Sequence, residues 1–376
     1  MKTYSELMLD LAYSSILFSS PGLTKWVMEL EEEVDHLGYQ LVMSLSLSIR
    51  DKEDAELAVG LFRVAGSTNR ISDAAADIAN LAHRTPDVHP IIEHVFKYVD
   101  ERLMQTVISK NSELIGSNIG ALWEKHDVNV DIIAVRRDNS WEVNPGKNLS
   151  FEDGDVIFLR GSPKEIAQFT ELASNTRPGT DIEKSEEPEV SFERLLLDMK
   201  ETSEFMVSMA FAAIKYRDSE LAKEVRELEE RIDNQCEIAI REIIANTGQN
   251  VNRKLDLMRF VIATEEIADA AWEIAAVQLS GLKTHPVIVS IADEAEEIVS
   301  RVTVHPESSL AGHSLRELAL DDNYGIYVLS VRREGHWFHR PSADLTLRGG
   351  DVLVFDGYKS GLEEIREIAD PTYSSE

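Results

Sequence analysis

Apolar residues recur at helical spacing through the first part of the chain. Val27, Leu30, Val34, Leu37 and Leu41 make one stripe, and Ile71, Ala75, Ile78 and Ala82 make another. Gly and Pro are scarce inside these runs, so the pattern predicts long helices packed as hairpins in a bundle. Residues 195–298 have the same texture. Elsewhere the period changes. Val128–Arg137 and Asp155–Arg160 read as short strands rich in β-branched residues. Asp138-Asn139 and Asn144-Pro145-Gly146 supply turns between them. Ser117–Lys125 predicts one short helix. Ala173–Val190 has two prolines, one glycine, several charges and no apolar period, which reads as a linker.

The two textures occur twice because the chain is a tandem duplication. Ser5–Asp35 aligns with Ser203–Asp233 at an offset of 198 without a gap. From Ile71–Ile92 against Ile267–Ile288 onward the offset is 196. In that register Gly116 meets Gly312, Trp141 meets Trp337, Pro145 meets Pro341 and Gly154-Asp155 meets Gly350-Asp351. The period is too long for a solenoid. The expected organisation is a helical domain at 1–98, a small α/β domain at 99–172, a linker at 173–190, a second helical domain at 191–294, a second α/β domain at 295–370 and a tail at 371–376. The fold class expected is α+β multidomain.

Charge narrows the function classes. The formal net charge is −30, which opposes a sequence-independent grip on nucleic acid phosphates or anionic lipid. The one cysteine, Cys236, excludes a disulfide framework within the chain and reads as a core residue in an apolar run. Neither a signal peptide nor an 18-residue apolar span is apparent, so a cytoplasmic protein without direct membrane insertion is expected.

The β-rich half resembles the C-terminal domain of the TrkA/RCK family of potassium-transport regulators. The residues that carry this are Ser112-Glu-Leu-Ile-Gly116, Val135-Arg-Arg137, Pro145 and Gly154-Asp-Val-Ile-Phe158. They recur as Ser308-Ser-Leu-Ala-Gly312, Val331-Arg-Arg333, Pro341 and Gly350-Asp-Val-Leu-Val354. The helical half is similar to PhoU domains, through Asn69-Arg-Ile-Ser-Asp73 with Asp77-Ile-Ala79 and Glu265-Glu-Ile-Ala-Asp269 with Glu273-Ile-Ala275. The combination resembles prokaryotic, especially archaeal, regulators of cation transport. No Gly-x-Gly-x-x-Gly turn or P-loop occurs, so no dinucleotide at a Rossmann site is expected.

Three sets of residues are candidates for chemistry. Acidic pairs at i, i+4 place two carboxylates on one helix face: Glu6/Asp10, Glu31/Asp35, Asp73/Asp77, Glu229/Asp233, Glu265/Asp269 and Asp269/Glu273. The PhoU resemblance implies that such pairs can hold a divalent metal. The alternative is a solvated face, since Asp73 and Asp77 lie opposite the Ile71/Ala75/Ile78 stripe. Asn69 and Ser208 break the acidic pattern, so the two copies are not expected to bind equally. Arg136, Arg137, Arg332 and Arg333 form local positive charge. The TrkA resemblance implies a cyclic dinucleotide or nucleotide effector there, and the alternative is charge-neutralising strand arginines. His89-Pro90 and His285-Pro286 read as helix ends or, alternatively, as ligands.

The resemblance thus implies a non-enzymatic sensor for a membrane cation channel or transporter, with potassium the expected ion. It implies a homodimer or an internal pseudo-dimer of the two copies. A phosphate-transport regulator and a metal-dependent phosphohydrolase are the alternatives.

Overall fold

The computed structural model describes residues 1–84, 91–92, 102–126, 128, 130–138, 140–161, 163–174, 192–245, 250–281, 300–334, 336–339, 341–357 and 359–371. His89, Pro90, His285 and Pro286 lie outside them. The chain is mostly helical, with two small antiparallel four-stranded sheets. It forms two compact units: Met1–Val207 with Arg226–Ile274, and Ser208–Val225 with Ala275–Glu376.

The first unit begins with three helices, α1 (Lys2–Leu17), α2 (Pro21–Ser48) and α3 (Lys52–Arg84), which pack on one another. Pro21 opens α2 at the position where its missing N–H costs nothing. Asp51 starts α3 by accepting from the backbone N–H groups of Glu53 and Asp54. The predicted stripe is the core: Val27, Val34, Ile71, Ala75 and Ile78 are fully buried against Met8, Leu11 and Ile16 of α1. Each of the Val, Leu, Ile and Met side chains among them contributes about 1.5–3 kcal/mol by leaving water.

Next come β1 (Arg102–Val107), α4 (Ala121–His126), β2 (Asp131–Arg137), β3 (Ser140–Val143), β4 (Val156–Gly161) and α5 (Pro163–Ser174). The sheet order is β1-β4-β2-β3, all antiparallel. Ile132, Val135, Phe151, Ile157, Leu159 and Phe169 fill the space between sheet and helix. The sequence placed the short helix at Ser117–Lys125; only Ala121–His126 is helical, and Asn118 instead bridges to Ser150 and caps the helix by accepting from Ala121 N–H. α5 continues through Ala173 and Ser174, two residues into the segment read as a linker, because Ala173 is buried in this core.

Sheet and bundle of this unit are fastened together. Arg160 on β4 reaches Asp10 of α1 at 3.2 Å and Asp131 of β2 at 3.4 Å. Phe18 meets Phe158 edge-on at 5.7 Å, and Trp141 lies 5.2 Å from Phe158. Trp141 also covers Gly22, where a Cβ would stand 2.8 Å from the indole.

Three further helices follow, α6 (Phe192–Lys215), α7 (Ser219–Ala245) and α8 (Val251–Leu279). Asp218 caps α7 by accepting from the N–H groups of Glu220 and Leu221. The second sheet repeats the first: β5 (Ser300–Thr303), α9 (Leu315–Leu318), α10 (Leu320–Tyr324), β6 (Ile326–Arg333), β7 (His336–His339), β8 (Val352–Gly357) and α11 (Lys359–Ala369). Its order, β5-β8-β6-β7, is the same. Even the strand irregularity is duplicated, between Ile132 and Ala134 and between Val328 and Ser330.

Gly361 sits where a Cβ would lie 2.0 Å from the carbonyl oxygen of Tyr324. Backbone cannot rotate away as a side chain can. Gly361→Ala is expected to cost about 2 kcal/mol or more, read as a lower urea midpoint for the second sheet with the first sheet unchanged.

Candidate functional sites: the acidic cluster and the strand arginines

The heptad-like turn of α7 puts Glu229 and Asp233 on one face, and α8 brings Asp269 to it. One carboxylate oxygen from each lies within 4.8 Å of the others. No other group of three His, Cys, Asp or Glu residues converges this way among the described residues. Glu265, one turn before Asp269, adjoins the group. Its carboxyl is pushed up to about 7 by burial, then by Asp269, Asp233 and Glu266, with Arg70 pulling the other way. Burial and the neighbouring acids also raise Glu229 and Asp233. Cys236 was expected in the core but is only half-buried, and burial with the charges of Glu265, Asp233 and Asp269 pushes its thiol up to about 11.

The corresponding positions of the first copy are Glu31, Asp35, Asp73 and Asp77, on α2 and α3. Burial and mutual repulsion raise Glu31 and Asp73. Asp73 and Asp77 are exposed, as their place opposite the apolar stripe requires. The two motifs differ in one respect that pattern reading passed over. Arg70 of α3 holds Glu273 at 2.8 Å and Asp269 at 3.4 Å, and Ser67 donates to Glu273 at 2.8 Å. The residue in register with Arg70 is Glu266, which adds repulsion to Asp73 instead.

The strand arginines divide into two kinds. Arg137 donates from Nε and Nη2 to the two oxygens of Asp155 at 2.7 and 2.8 Å, from Nη1 to Glu152 at 2.6 Å and from Nη2 to the Ser150 carbonyl at 2.8 Å. Asp155 is fully buried and also accepts from the Glu152 N–H. Arg333 clasps Asp351 in the same way at 2.8 and 2.6 Å and donates to the Thr346 carbonyl. These guanidiniums hold the Gly-Asp turn closed and are paired with carboxylates, in keeping with the charge-neutralising alternative. Arg136 and Arg332 instead lie over Trp141 and Trp337, each 5.6 Å from the ring. An open depression of about 570 Å³ beside the first sheet is lined by Val135, Arg137, Asp138, Ser140, Glu142 and Leu149.

Comparison with known proteins matches the PhoU domain to residues 1–82 and 196–277, and the TrkA-C domain to residues 103–174 and 299–370. The chain is a tandem PhoU/TrkA-C protein. A 77-residue stretch is 31% identical to an uncharacterized transporter of Synechocystis sp., covering 20% of this chain and 12% of that protein. PhoU from Pseudomonas aeruginosa shares 14% identity over 74% of this chain and 90% of its own, with a TM-score of 0.40. The GsuK RCK domain shares 12% over 72% and 64%, with a TM-score of 0.19. Both domain types are regulatory rather than catalytic. No helix among the described residues is long and apolar enough to cross a membrane.

The raised Glu265 carboxyl is expected to make the stability of the second PhoU domain of this tandem protein depend on pH. Its folded pKa lies above the ordinary 4.5, so the folded state holds the proton more tightly. The stability this supplies is full below about 4.5 and is lost as pH rises through about 7. Glu265→Gln is expected to raise stability at pH 8 by about 1 kcal/mol, solvent having screened part of the shift, and to change little at pH 4. Urea denaturation at the two pH values measures it.

Proposed function

We propose that this protein regulates cation transport, with an effector taken at the TrkA-C sheets and the PhoU bundles carrying the response to a membrane channel or transporter. The observation that supports this reading most is the joining of two regulatory domain types, each present twice, in one chain. Within the first unit, bundle and sheet are tied through Asp10–Arg160–Asp131 and Phe18–Phe158–Trp141, so a ligand that prefers one arrangement of the sheet acts on the bundle too. The resemblance to a transporter over part of the chain agrees with a partner of that kind. Potassium is the ion proposed. Arg136 and Arg332, stacked on tryptophan and without an ion pair among the described residues, are the guanidiniums suited to a phosphate-bearing effector. Loss of potassium uptake under potassium limitation in a deletion strain tests the function. Unchanged uptake overturns it.

A second reading is regulation of phosphate transport, favoured by the PhoU matches to both helical domains. A deletion that alters phosphate uptake and leaves potassium uptake alone would establish it.

We also propose a divalent metal at Glu229, Asp233 and Asp269. Three oxygens no more than 4.8 Å from one another stand at most about 2.8 Å from a common centre, so a small closure brings them to the distances of about 2.3–2.6 Å that suit Ca²⁺ and a larger one to those of Mg²⁺. A bound cation would neutralise the repulsion that raises Glu229 and Asp233.

A further inference from the structure

The outer half of α2 has two apolar faces. On one, Leu37 and Leu41 are half-buried and Leu45 is buried. On the other side Tyr39, Val42, Met43 and Leu47 stand exposed, with Leu47 at 88% and Tyr39 at 69%. Their spacing of i, i+3, i+4 and i+8 makes a second stripe, the pattern of a helix that meets a partner. Val59 on α3 is exposed as well.

The duplication supplies an internal control. With the offset of 198 carried on from Asp35 along the same helix, Tyr39 corresponds to Glu237 and Met43 to Arg241, while Val42 and Leu47 correspond to Ile240 and Ala245. Glu237 and Arg241 form an ion pair on the surface of α7. The second hairpin therefore folds with charges at two of the four positions, so Tyr39 and Met43 are not needed to build the first. Charge identifies the occupant. From His36 to Ile49 the chain carries no Asp, Glu, Lys or Arg, although 28% of its residues are of those types. A twofold contact sets a patch against its own copy, so any charged patch would meet like charge. This stretch meets none. A lipid surface is disfavoured by the net charge of −30.

We propose that Tyr39, Val42, Met43 and Leu47 form the contact through which two copies of this chain pair. The assignment is independent of the effector and of the transported ion. Light scattering and sedimentation of the full chain across concentration test it. A dimer is expected, tightening as NaCl is added, because salt screens the repulsion between two acidic chains. An ion-paired interface would loosen instead. Met43→Glu with Leu47→Glu is expected to weaken pairing roughly 100-fold or more, with the helical circular dichroism unchanged since both side chains are exposed. Ile244→Glu, on the exposed surface of α7, is expected to leave pairing intact. Met43→Cys in a Cys236→Ala background should form a disulfide-linked dimer on oxidation. A monomer at every concentration, a dimer indifferent to the double substitution, or flotation of the wild type with neutral vesicles that the double substitution abolishes would each overturn the proposal.

Discussion

Asp351→Ala is expected to destabilise the second TrkA-C domain by about 4 kcal/mol, and Asp155→Ala the first by about 3 kcal/mol. Each aspartate is at most 1% exposed and its carboxylate accepts three times: twice from arginine and once from the backbone N–H three residues before it. Removing it leaves a guanidinium without its carboxylate. The two sites differ in how well water can rescue that cation. The Arg137 side chain is 36% exposed and keeps Glu152, whereas that of Arg333 is 15% exposed. The larger loss therefore falls on Asp351. Removing both partners should cost less than removing one. Arg333→Met with Asp351→Ala is expected to recover part of the stability lost by Asp351→Ala alone. Trp141 and Trp337, each in the strand paired with the arginine strand, report the unfolding by fluorescence in single-tryptophan backgrounds. Equal losses at the two sites, or an additive double variant, would contradict the clasp.

Saturating Ca²⁺ or Mn²⁺ is expected to raise the melting temperature of the first unit by roughly 5–10 °C. At a hundredfold excess over Kd the linkage is about 2.7 kcal/mol, and a unit of this size gains roughly 2–4 °C per kcal/mol. Asp233→Asn is the variant of choice. It removes one oxygen of the trio, whereas Asp269 also engages Arg70, so Asp269→Asn would disturb an ion pair at the same time. The pH dependence reverses with the ion. Without it, the raised carboxylates make the cluster more stable toward acid; with it, affinity falls as those carboxylates take up protons. An unchanged melting temperature, or an equal rise in Asp233→Asn, would remove the metal from the account.

Much of the architecture was legible because periodicity and repetition both report on packing. Val27 and Val34 of the first stripe and Ile71, Ala75 and Ile78 of the second are buried where a period of 3.6 places them, with Leu30, Leu37 and Leu41 half-buried. Trp141, Gly154 and their counterparts kept register because each answers to a fixed geometry: a ring under the arginine opposite it on the paired strand, and a turn with φ of +88° or +92°. Less of the candidate sites was legible. The Gly154-Asp155 and Val135-Arg136-Arg137 segments were both noticed, but a strand register was needed to show that they bind each other. Spacing identified the acids of α7 and α8 one helix at a time; their convergence depends on how the two helices cross. Arg70 gave no signal, because its partners are about two hundred positions away. Cys236 was misplaced since its apolar run faces both core and acids.

Arg70 bears on why two copies are joined at all. In an assembly of identical subunits, any substitution appears at every equivalent position, so an arginine opposite one acidic motif would come with an arginine opposite the other. Here the register pairs Arg70 with Glu266, and the cation makes its ion pairs with Asp269 and Glu273 while it acts on Asp73 without pairing with it. Covalent fusion lets a single mutation act on one half alone. One acidic motif has been given an ion-paired counter-charge, and its twin has not. Such a chain can hold its two halves at different set points, which a symmetric pair encoded by one shorter gene cannot do.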